Sequence, residues 1–276
     1  MPVQYSIVIP TYKRNHQLAL CLQRLQPAAQ SLEASLYEVI VTDDAADAAT
    51  EQLLLTQFPW ATYTAGPHRG PAANRNHGAS LAIGQWLVFT DDDCLPDAQW
   101  LQAYADAIEL HPDCKAFEGA ILPDDWALLK KDMAECPVNT EGGCFWSANI
   151  MVAQSLFQEL SGFDEQFAIA AQEDQDLQWR IQQQHDIVFV QPATVVHPVR
   201  RISLRNKLSA IPAGISNWWK FSLKKQSRYM ALLSGIQSQF AACIANLKAR
   251  KWQSAVLNII TLLLLLPTLL FHSKHK

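Results

Sequence analysis

The chain has 276 residues, of which 49% are hydrophobic and 17% are charged, enough for one sizeable core and an appendage. Its six cysteines are scattered without a Cys-x-x-Cys pair, so they indicate neither a zinc site nor a disulfide framework. The sequence also contains no internal repeat and no low-complexity segment. This composition excludes a repeat protein and a small protein stabilised by disulfide bonds.

The net charge of -4 conceals an uneven distribution along the chain. Positions 1–197 hold all 26 acidic residues and nine basic ones, whereas positions 198–276 hold thirteen basic residues and no acidic one. Such a basic tail is typical of a segment that meets an anionic partner, either a nucleic acid or a phospholipid surface.

The end of the tail favours a membrane, and we expect no nucleic-acid partner. Residues 252–273 carry no charged side chain, and twenty helical residues span about 30 Å, the thickness of a bilayer core. A helix in the membrane plane and a helix packed in a core are the alternatives, because Pro267 would kink a spanning helix. Residues 1–10 lack the features of a signal peptide, so we expect the body at the cytoplasmic face of the membrane.

In the first half of the chain, short β-rich runs alternate with helical patterns. The predicted strands are residues 5–10, 37–42, 61–64 and 85–90. Apolar stripes mark the helices between them: Leu18, Cys21, Leu22 and Leu25 on the first, and Leu53, Leu54 and Phe58 on the second. The alternation predicts an α/β protein with a doubly wound, mostly parallel sheet, in which ligands bind beyond the carboxyl ends of the strands.

Polar residues cluster at those predicted strand ends. Residues 10–12 follow the first strand, Asp43-Asp44 the second, and three consecutive carboxylates, residues 91–93, the fourth. Like charges this close raise one another's pKa, so the triplet is costly unless a cation compensates it. Carboxylate oxygens suit Mn²⁺ or Mg²⁺. The alternative is a solvated acidic turn that caps a helix beginning near Pro96.

Further candidates lie on either side of the triplet. Pro71 can start a helix that presents Arg75. The Arg75 guanidinium would face a diphosphate, hold the aspartate loop in place or form a surface salt bridge.

Residues 123–143 are predicted to form a long loop. Glu173 and Asp174 fall in the first turn of a helix, where carboxylates are favoured with or without a catalytic role.

Two more strand-like runs, residues 187–190 and 194–196, close the body. The second ends at His197, which is either a metal ligand or a structural histidine.

In this order and spacing, the motifs resemble glycosyltransferase family 2, whose members have the GT-A fold, over residues 5–198. The motifs are Ser6-Ile7-Val8-Ile9-Pro10-Thr11-Tyr12, Asp43-Asp44, Arg75-Asn76-His77-Gly78, Asp91-x-Asp93, Gly162-Phe163-Asp164-Glu165, Glu173-Asp174 with Asp176, Leu177 and Arg180, and His197. One departure is Ala45-Ala46, which replaces the Gly-Ser that commonly follows the Asp-Asp pair.

The resemblance implies inverting transfer of a sugar from a nucleoside-diphosphate sugar to the hydroxyl of a sugar or lipid-linked acceptor, in the synthesis of cell-envelope polysaccharide, exopolysaccharide or glycolipid. Asp174 matches the catalytic base and Glu173 its positioning neighbour. Asp91, Asp93 and His197 match ligands of Mn²⁺ or Mg²⁺. The residues expected to bind the donor nucleotide are Pro10, Thr11, Tyr12, Arg14, Asp44, Arg75, Asp91 and Asp92. Arg200 or Arg201 is expected to reach the phosphates.

Two other functions compete with this one. A nucleotidyltransferase of similar fold would carry a glycine-rich phosphate loop, but residues 11–14 contain no glycine. A non-catalytic, membrane-associated protein that binds nucleotide sugars would not need Glu173 and Asp174. The expected organisation is a GT-A catalytic domain at 1–200, a basic amphipathic helical segment at 201–250 and a hydrophobic helix at 251–276, a candidate membrane anchor.

Overall fold

The structure is a computed structural model that describes residues 2–167, 171–226 and 228–271. The chain divides into two compact units. The first unit consists of Met1–Asp124 and Pro137–Pro198, and the second of Asp125–Cys136 and Val199–Lys276.

The elements alternate as the sequence predicts. The strands are β1 Tyr5–Thr11, β2 Tyr37–Asp43, β3 Thr62–Ala65, β4 Trp86–Thr90, β5 Leu95–Pro96, β6 Ala116–Pro123, β7 Ala134–Glu135, β8 Asn149–Ala153, β9 Val188–His197 and β10 Arg200–Arg201. The helices are α1 Asn15–Leu25, α2 Ala48–Gln57, α3 Pro71–Leu81, α4 Trp100–Leu110, α5 Trp126–Leu129, α6 Gln154–Glu159, α7 Glu173–Ile181, α8 Leu204–Lys225, α9 Arg228–Lys248 and α10 Trp252–Phe271.

One eight-stranded sheet organises the first unit, in the order β3-β2-β1-β4-β8-β6-β9-β5. Strands β3, β2, β1 and β4 are parallel, and so are β6 and β9. Strand β8 runs antiparallel to both β4 and β6, and β5 runs antiparallel to β9. The parallel half brings the carboxyl ends of β1, β2 and β4 to one edge of the sheet, where the predicted site residues lie.

The central strands are buried on both faces, and alternate residues enter different cores. Ile7 of β1 packs with Leu22 of α1 on one face, whereas Val8 packs with Phe89 of β4 on the other. Successive side chains of a strand point to opposite faces, which is why a continuous apolar run suits a sheet covered on both sides. Burial of each such side chain contributes about 1.5–3 kcal/mol, so these strands hold their carboxyl ends firmly.

Three local predictions differ from the structure. The helix expected near Pro96 begins at Trp100, because Leu95 and Pro96 instead form the edge strand β5, where a proline is tolerated. The predicted loop 123–143 contains α5 and β7. The two predicted strands before His197 are one strand, β9, which has a register shift opposite Gly119 and Ala120 of β6.

The second unit joins the helices α8, α9 and α10 to the segment Asp125–Cys136. Strand β7 of this segment pairs antiparallel with β10. The carboxylate of Asp132 accepts hydrogen bonds from the backbone N–H groups of Gln253 (2.8 Å) and Ser254 (3.3 Å), at the start of α10. The segment is therefore an integral part of the second unit.

Two helices of this unit are strongly apolar. Among the described residues, one stretch, Met230–Lys248 of α9, has the length and hydropathy of a membrane span, and Trp252–Leu265 of α10 is a shorter apolar stretch. Residues 272–276, the end of the predicted hydrophobic helix, lie outside the described residues.

Candidate active site

The acidic triplet at the end of β4 is held by contacts from β1 and α1. The side chains of Asp92 and Asp93 are 5% and 4% exposed, so both need partners. Thr11 Oγ1 donates to Asp92 Oδ2 at 2.8 Å. Arg14 Nη1 lies 3.1 Å from Asp92 Oδ1 and 3.2 Å from Asp93 Oδ2. The triplet is thus part of a buried charge cluster and not a solvated helix cap.

The electrostatics of Asp92 follow from its burial. Burial raises the pKa of Asp92 to about 6, although Arg14 and the Thr11 hydroxyl favour the ionised form. A further cation at this strand end would offset the cost of burying the carboxylates.

His197 lies beside the triplet at the end of β9. Its Nε2 is 3.4 Å from Asp93 Oδ1, and its Nδ1 is 3.0 Å from the carbonyl oxygen of Pro198. With the proton assigned to Nδ1, this nitrogen donates to the carbonyl, and the lone pair of Nε2 points towards Asp93, as in metal-binding histidines.

The ligand atoms of Asp93, Cys94 and His197 all lie within 4.8 Å of one another. Carboxylate oxygens suit Mn²⁺ or Mg²⁺, an imidazole nitrogen is a common ligand of divalent transition metals, and a thiol is a soft ligand. The pKa of the Cys94 thiol is raised well above its usual value, chiefly by burial. Asp93 and His197 therefore fit a divalent metal ion, with Asp91 two residues away on the same loop.

Arg75 joins the end of β4 to the start of α7. Its Nη2 donates to Asp91 Oδ1 at 2.7 Å, and its Nη1 donates to Glu173 Oε1 at 3.2 Å. Of the three roles considered for Arg75, contact with the aspartate loop is the one present here, and its side chain is only 5% exposed. Its Nε is buried and has no hydrogen-bond partner among the described residues. A buried donor without a partner is costly, and a bound acceptor group would relieve that cost.

Glu173 and Asp174 begin α7 and border a cavity of about 170 Å³. The residues that line it are Arg75, Asp91, Pro137, Trp146, Ser147, Ala148, Ala171, Glu173 and Asp174. One cavity thus contains both the predicted base and two of the predicted donor-binding residues, Arg75 and Asp91.

The environment of Asp174 suits a base that works near neutral pH. Burial first, and the adjacent Glu173 second, raise the pKa of Asp174 to about 7. The backbone N–H groups of Gln175, at 2.8 Å, and Ser147, at 3.5 Å, favour the ionised form. Burial also raises the pKa of Glu173, while Arg75 opposes this shift.

The other predicted donor-binding residues lie around the ends of β1 and β2. Pro10 and Thr11 are buried in β1, whereas Tyr12 is 57% exposed just beyond it. The carboxylate of Asp44 accepts hydrogen bonds from the backbone N–H groups of Gly70 (2.8 Å) and Arg69 (3.3 Å), so it holds the turn that leads into α3. Arg200 and Arg201 are exposed in the second unit, as β10.

Sequence reasoning missed the loop between β7 and β8. Trp146, Ser147 and Ala148 line the cavity, but none of the sequence motifs includes them. The one signal was the Gly142-Gly143 pair just before them, since paired glycines often mark a backbone of unusual conformation.

The parallel half-sheet, the antiparallel strand β8 and the acidic site at the sheet edge define a GT-A fold. TarS from S. aureus, residues 1–349, superposes with a TM-score of 0.61 at 17% identity, covering 83% of this chain and 68% of that one. The mannosyltransferase PcManGT from Pyrobaculum calidifontis, solved with GDP-Man and Mn²⁺, superposes with a TM-score of 0.58 at 16% identity, covering 96% of this chain and 87% of that one. The predicted fold is confirmed.

Residues 6–121 match the model of the family described as Glycosyl transferase family 2. Glycosyltransferase AglE from Haloferax volcanii is 31% identical over 102 residues, which make up 35% of this chain and 33% of AglE. The resemblance seen in the motifs is therefore confirmed for residues 6–121, which are similar to glycosyltransferases of family 2. It spans about a third of the length of the curated relatives that it matches.

Replacing Arg75 should destabilise the first unit strongly. Arg75→Met leaves Asp91 and Glu173 without their cation, and breaking a buried pair in this way costs about 3–5 kcal/mol. Arg69→Met is the matched control, because the Arg69–Glu165 pair is exposed (64% and 34%) and is worth at most about 1 kcal/mol. Denaturant unfolding of both variants measures the difference. Equal losses would mean that the Arg75 pairs contribute no more than a surface salt bridge.

Proposed function

We propose that this protein is an inverting glycosyltransferase that moves a sugar from a nucleoside-diphosphate sugar to an acceptor hydroxyl. The observation that carries the proposal is that Asp174, Arg75 and Asp91 line one cavity. A base and a cationic group on one cavity are what an in-line displacement needs, because the acceptor loses a proton while negative charge develops on the leaving diphosphate. A purely binding protein would not need a carboxylate with a pKa near 7.

Asp174 is the catalytic base in this mechanism. Its carboxylate takes the proton of the acceptor hydroxyl as that oxygen attacks the anomeric carbon from the face opposite the diphosphate. A single base suffices because one displacement requires no covalent intermediate. Glu173, ion-paired with Arg75, fixes the first turn of α7 and acts as a positioning residue.

The donor lies along the ends of β1, β2 and β4 in this proposal. Pro10, Thr11 and Tyr12 form the wall of the base pocket, with Asp44 at its far side. Asp91 and Asp92 face the ribose, and Arg14 and Arg75 face the diphosphate. The Mn²⁺ that accompanies GDP-Man in PcManGT supports a metal-dependent donor site here as well.

Asp91, Asp93 and His197 would hold the metal. When bound, Mn²⁺ or Mg²⁺ would neutralise charge on the leaving diphosphate without a proton donor. The chain's own contribution is to keep the ligands oriented: Arg14 holds the Asp93 carboxylate and the Pro198 carbonyl holds the His197 ring.

In this proposal, the second unit carries the surface that binds the membrane. Trp252, Val256, Ile259 and Leu263 form a stripe along α10 at helical spacing, and each is at least 46% exposed. Exposed apolar residues beside an excess of basic charge suit an anionic membrane face. We propose that the segments 201–250 and 251–276 hold the domain 1–200 at the cytoplasmic face, where the acceptor is a lipid-linked sugar or another sugar.

Asp174→Asn should reduce sugar transfer by at least about 100-fold, because general-base assistance contributes about 10²–10⁴ in rate. The asparagine keeps the shape of the side chain, so nucleotide affinity should change little. In the unaltered protein, the transfer rate should rise with pH through about 7 and then level, because only the ionised form of Asp174 accepts a proton. Transfer and nucleotide titrations at several pH values test both points. Undiminished transfer by the variant would refute the assignment of the base.

Asp93→Ala should abolish the effect of Mn²⁺ on nucleotide affinity, because the buried carboxylate is the central proposed ligand. Asp97→Ala is the control, since Asp97 is an exposed carboxylate just beyond the triplet. Calorimetric titration with the nucleoside diphosphate, with and without Mn²⁺, measures the difference. If Mn²⁺ still strengthens binding to the Asp93 variant, this carboxylate is not a metal ligand.

Binding to membranes should depend on the stripe along α10. The full chain should float with vesicles that contain anionic lipid, and a Val256→Ser, Ile259→Ser, Leu263→Ser variant should float several-fold less. The matched control replaces Leu20, Leu55 and Ile83, which are exposed apolar residues of the first unit, with serine. Flotation of the α10 variant at the level of the unaltered protein would contradict the proposed membrane surface.

A further inference from the structure

We propose that Glu118 is a positioning residue that shapes the loop Gly142–Ser147 and through it orients Asp174. The inference rests on the proposed function in one respect, namely that Asp174 is the base whose orientation matters. The anchoring of the loop itself is a property of the fold.

Glu118 lies in β6 and is 3% exposed, yet its carboxylate is fully engaged with the loop. Oε1 accepts from the backbone N–H of Gly143 at 2.5 Å. Oε2 accepts from the N–H groups of Cys144 at 3.1 Å and Phe145 at 2.7 Å, and from Asn139 Nδ2 at 2.9 Å. Four N–H donors stabilise this buried charge, and three of them belong to consecutive peptide groups.

The loop needs such an anchor because its backbone is unusual. Gly142 and Gly143 both have φ of 86°, and Phe145 has φ of 45°. The left-handed region is accessible to glycine but uncommon for a bulky residue such as phenylalanine. Strained conformations of this kind persist only where surrounding contacts impose them, and they concentrate at functional sites. The bonds from Glu118 reach two of these three residues directly.

Helix α7 holds the same peptides from the other side. Gln175 Nε2 donates to the carbonyl of Cys144 at 2.6 Å, and Gln178 Nε2 donates to the carbonyl of Gly143 at 3.1 Å. The loop is therefore fixed between the carboxylate of Glu118 and the helix that begins with Glu173 and Asp174.

This arrangement connects Glu118 to the proposed chemistry. Two residues beyond Phe145, the N–H of Ser147 points at Asp174 Oδ2 at 3.5 Å, and Trp146 and Ser147 line the cavity. If the anchor is lost, the N–H group that steadies Asp174 and one wall of the cavity shift together. The hydrogen bonds of the Arg75 guanidinium run to Asp91 and Glu173, outside this loop, so nucleotide binding should change less than transfer does.

Glu118→Gln tests the proposal, because glutamine has the same shape but replaces one acceptor oxygen with an NH₂ group that faces backbone donors. The amides of Gly143–Ser147 should exchange with deuterium at least about tenfold faster, and kcat for transfer should fall about 10-fold to 100-fold, as small misplacements of a reacting group do. The dissociation constant for the nucleoside diphosphate should stay within about twofold. Gly143→Ala, which strains the backbone but brings Cβ no nearer than 4 Å to other atoms, should give the same pattern.

Tyr37→Phe is the control for general loss of stability. It removes a buried hydrogen bond of 3.1 Å to the carbonyl of Leu25, on the opposite side of the sheet, and should leave kcat and exchange at 143–147 unchanged. Unchanged exchange at 143–147 in the Glu118→Gln variant would overturn the proposed anchoring. Faster exchange with undiminished kcat would overturn the link to Asp174. If the unaltered protein transferred no sugar, the proposed function would fail, and the exchange measurement would still decide whether Glu118 anchors the loop.

Discussion

The guanidinium of Arg75 joins two carboxylates that are 82 positions apart in the chain, Asp91 at the end of β4 and Glu173 at the start of α7. An arginine has the planar, multivalent geometry that can serve both partners at once, which a lysine lacks. The Arg75–Glu173 ion pair is buried, so water does not compete for this contact. The Arg75 side chain therefore connects the proposed donor side of the cavity to the helix that carries the proposed base.

Excess negative charge is the second constraint on the site. Five carboxylates, Asp91 to Asp93 with Glu173 and Asp174, face two guanidinium groups, of Arg14 and Arg75. Burial makes the imbalance expensive, and the raised pKa values of Asp92 and Asp174 express that cost. A divalent metal ion beside Asp93 and His197 would reduce this excess of negative charge. The excess of negative charge therefore favours a donor that binds together with a divalent metal ion.

Local patterns predict much of this protein, and contacts between distant residues account for what they miss. The apolar runs of β1, β2 and β4, the stripe of Leu18 and Leu22 on α1 and the proline start of α3 are local signals, and the structure contains each of them. Local sequence patterns do not predict that β8 lies antiparallel between β4 and β6, and they do not predict the role of Glu118. Both depend on contacts with residues more than twenty positions away. The proline in β5 misled the prediction for the same reason, since its partner is β9.

The segment Asp125–Cys136 leaves the first unit after β6 and returns before β8, but it folds with residues from the far end of the chain. Asp132 caps α10, and the carbonyl of Met133 accepts from the N–H of Ile202. During synthesis Asp132 and Met133 are made well before their partners, Gln253 and Ile202. Strand β7 therefore stays without its partner strand until residues 200–201 have been synthesised, although it lies in the middle of the chain.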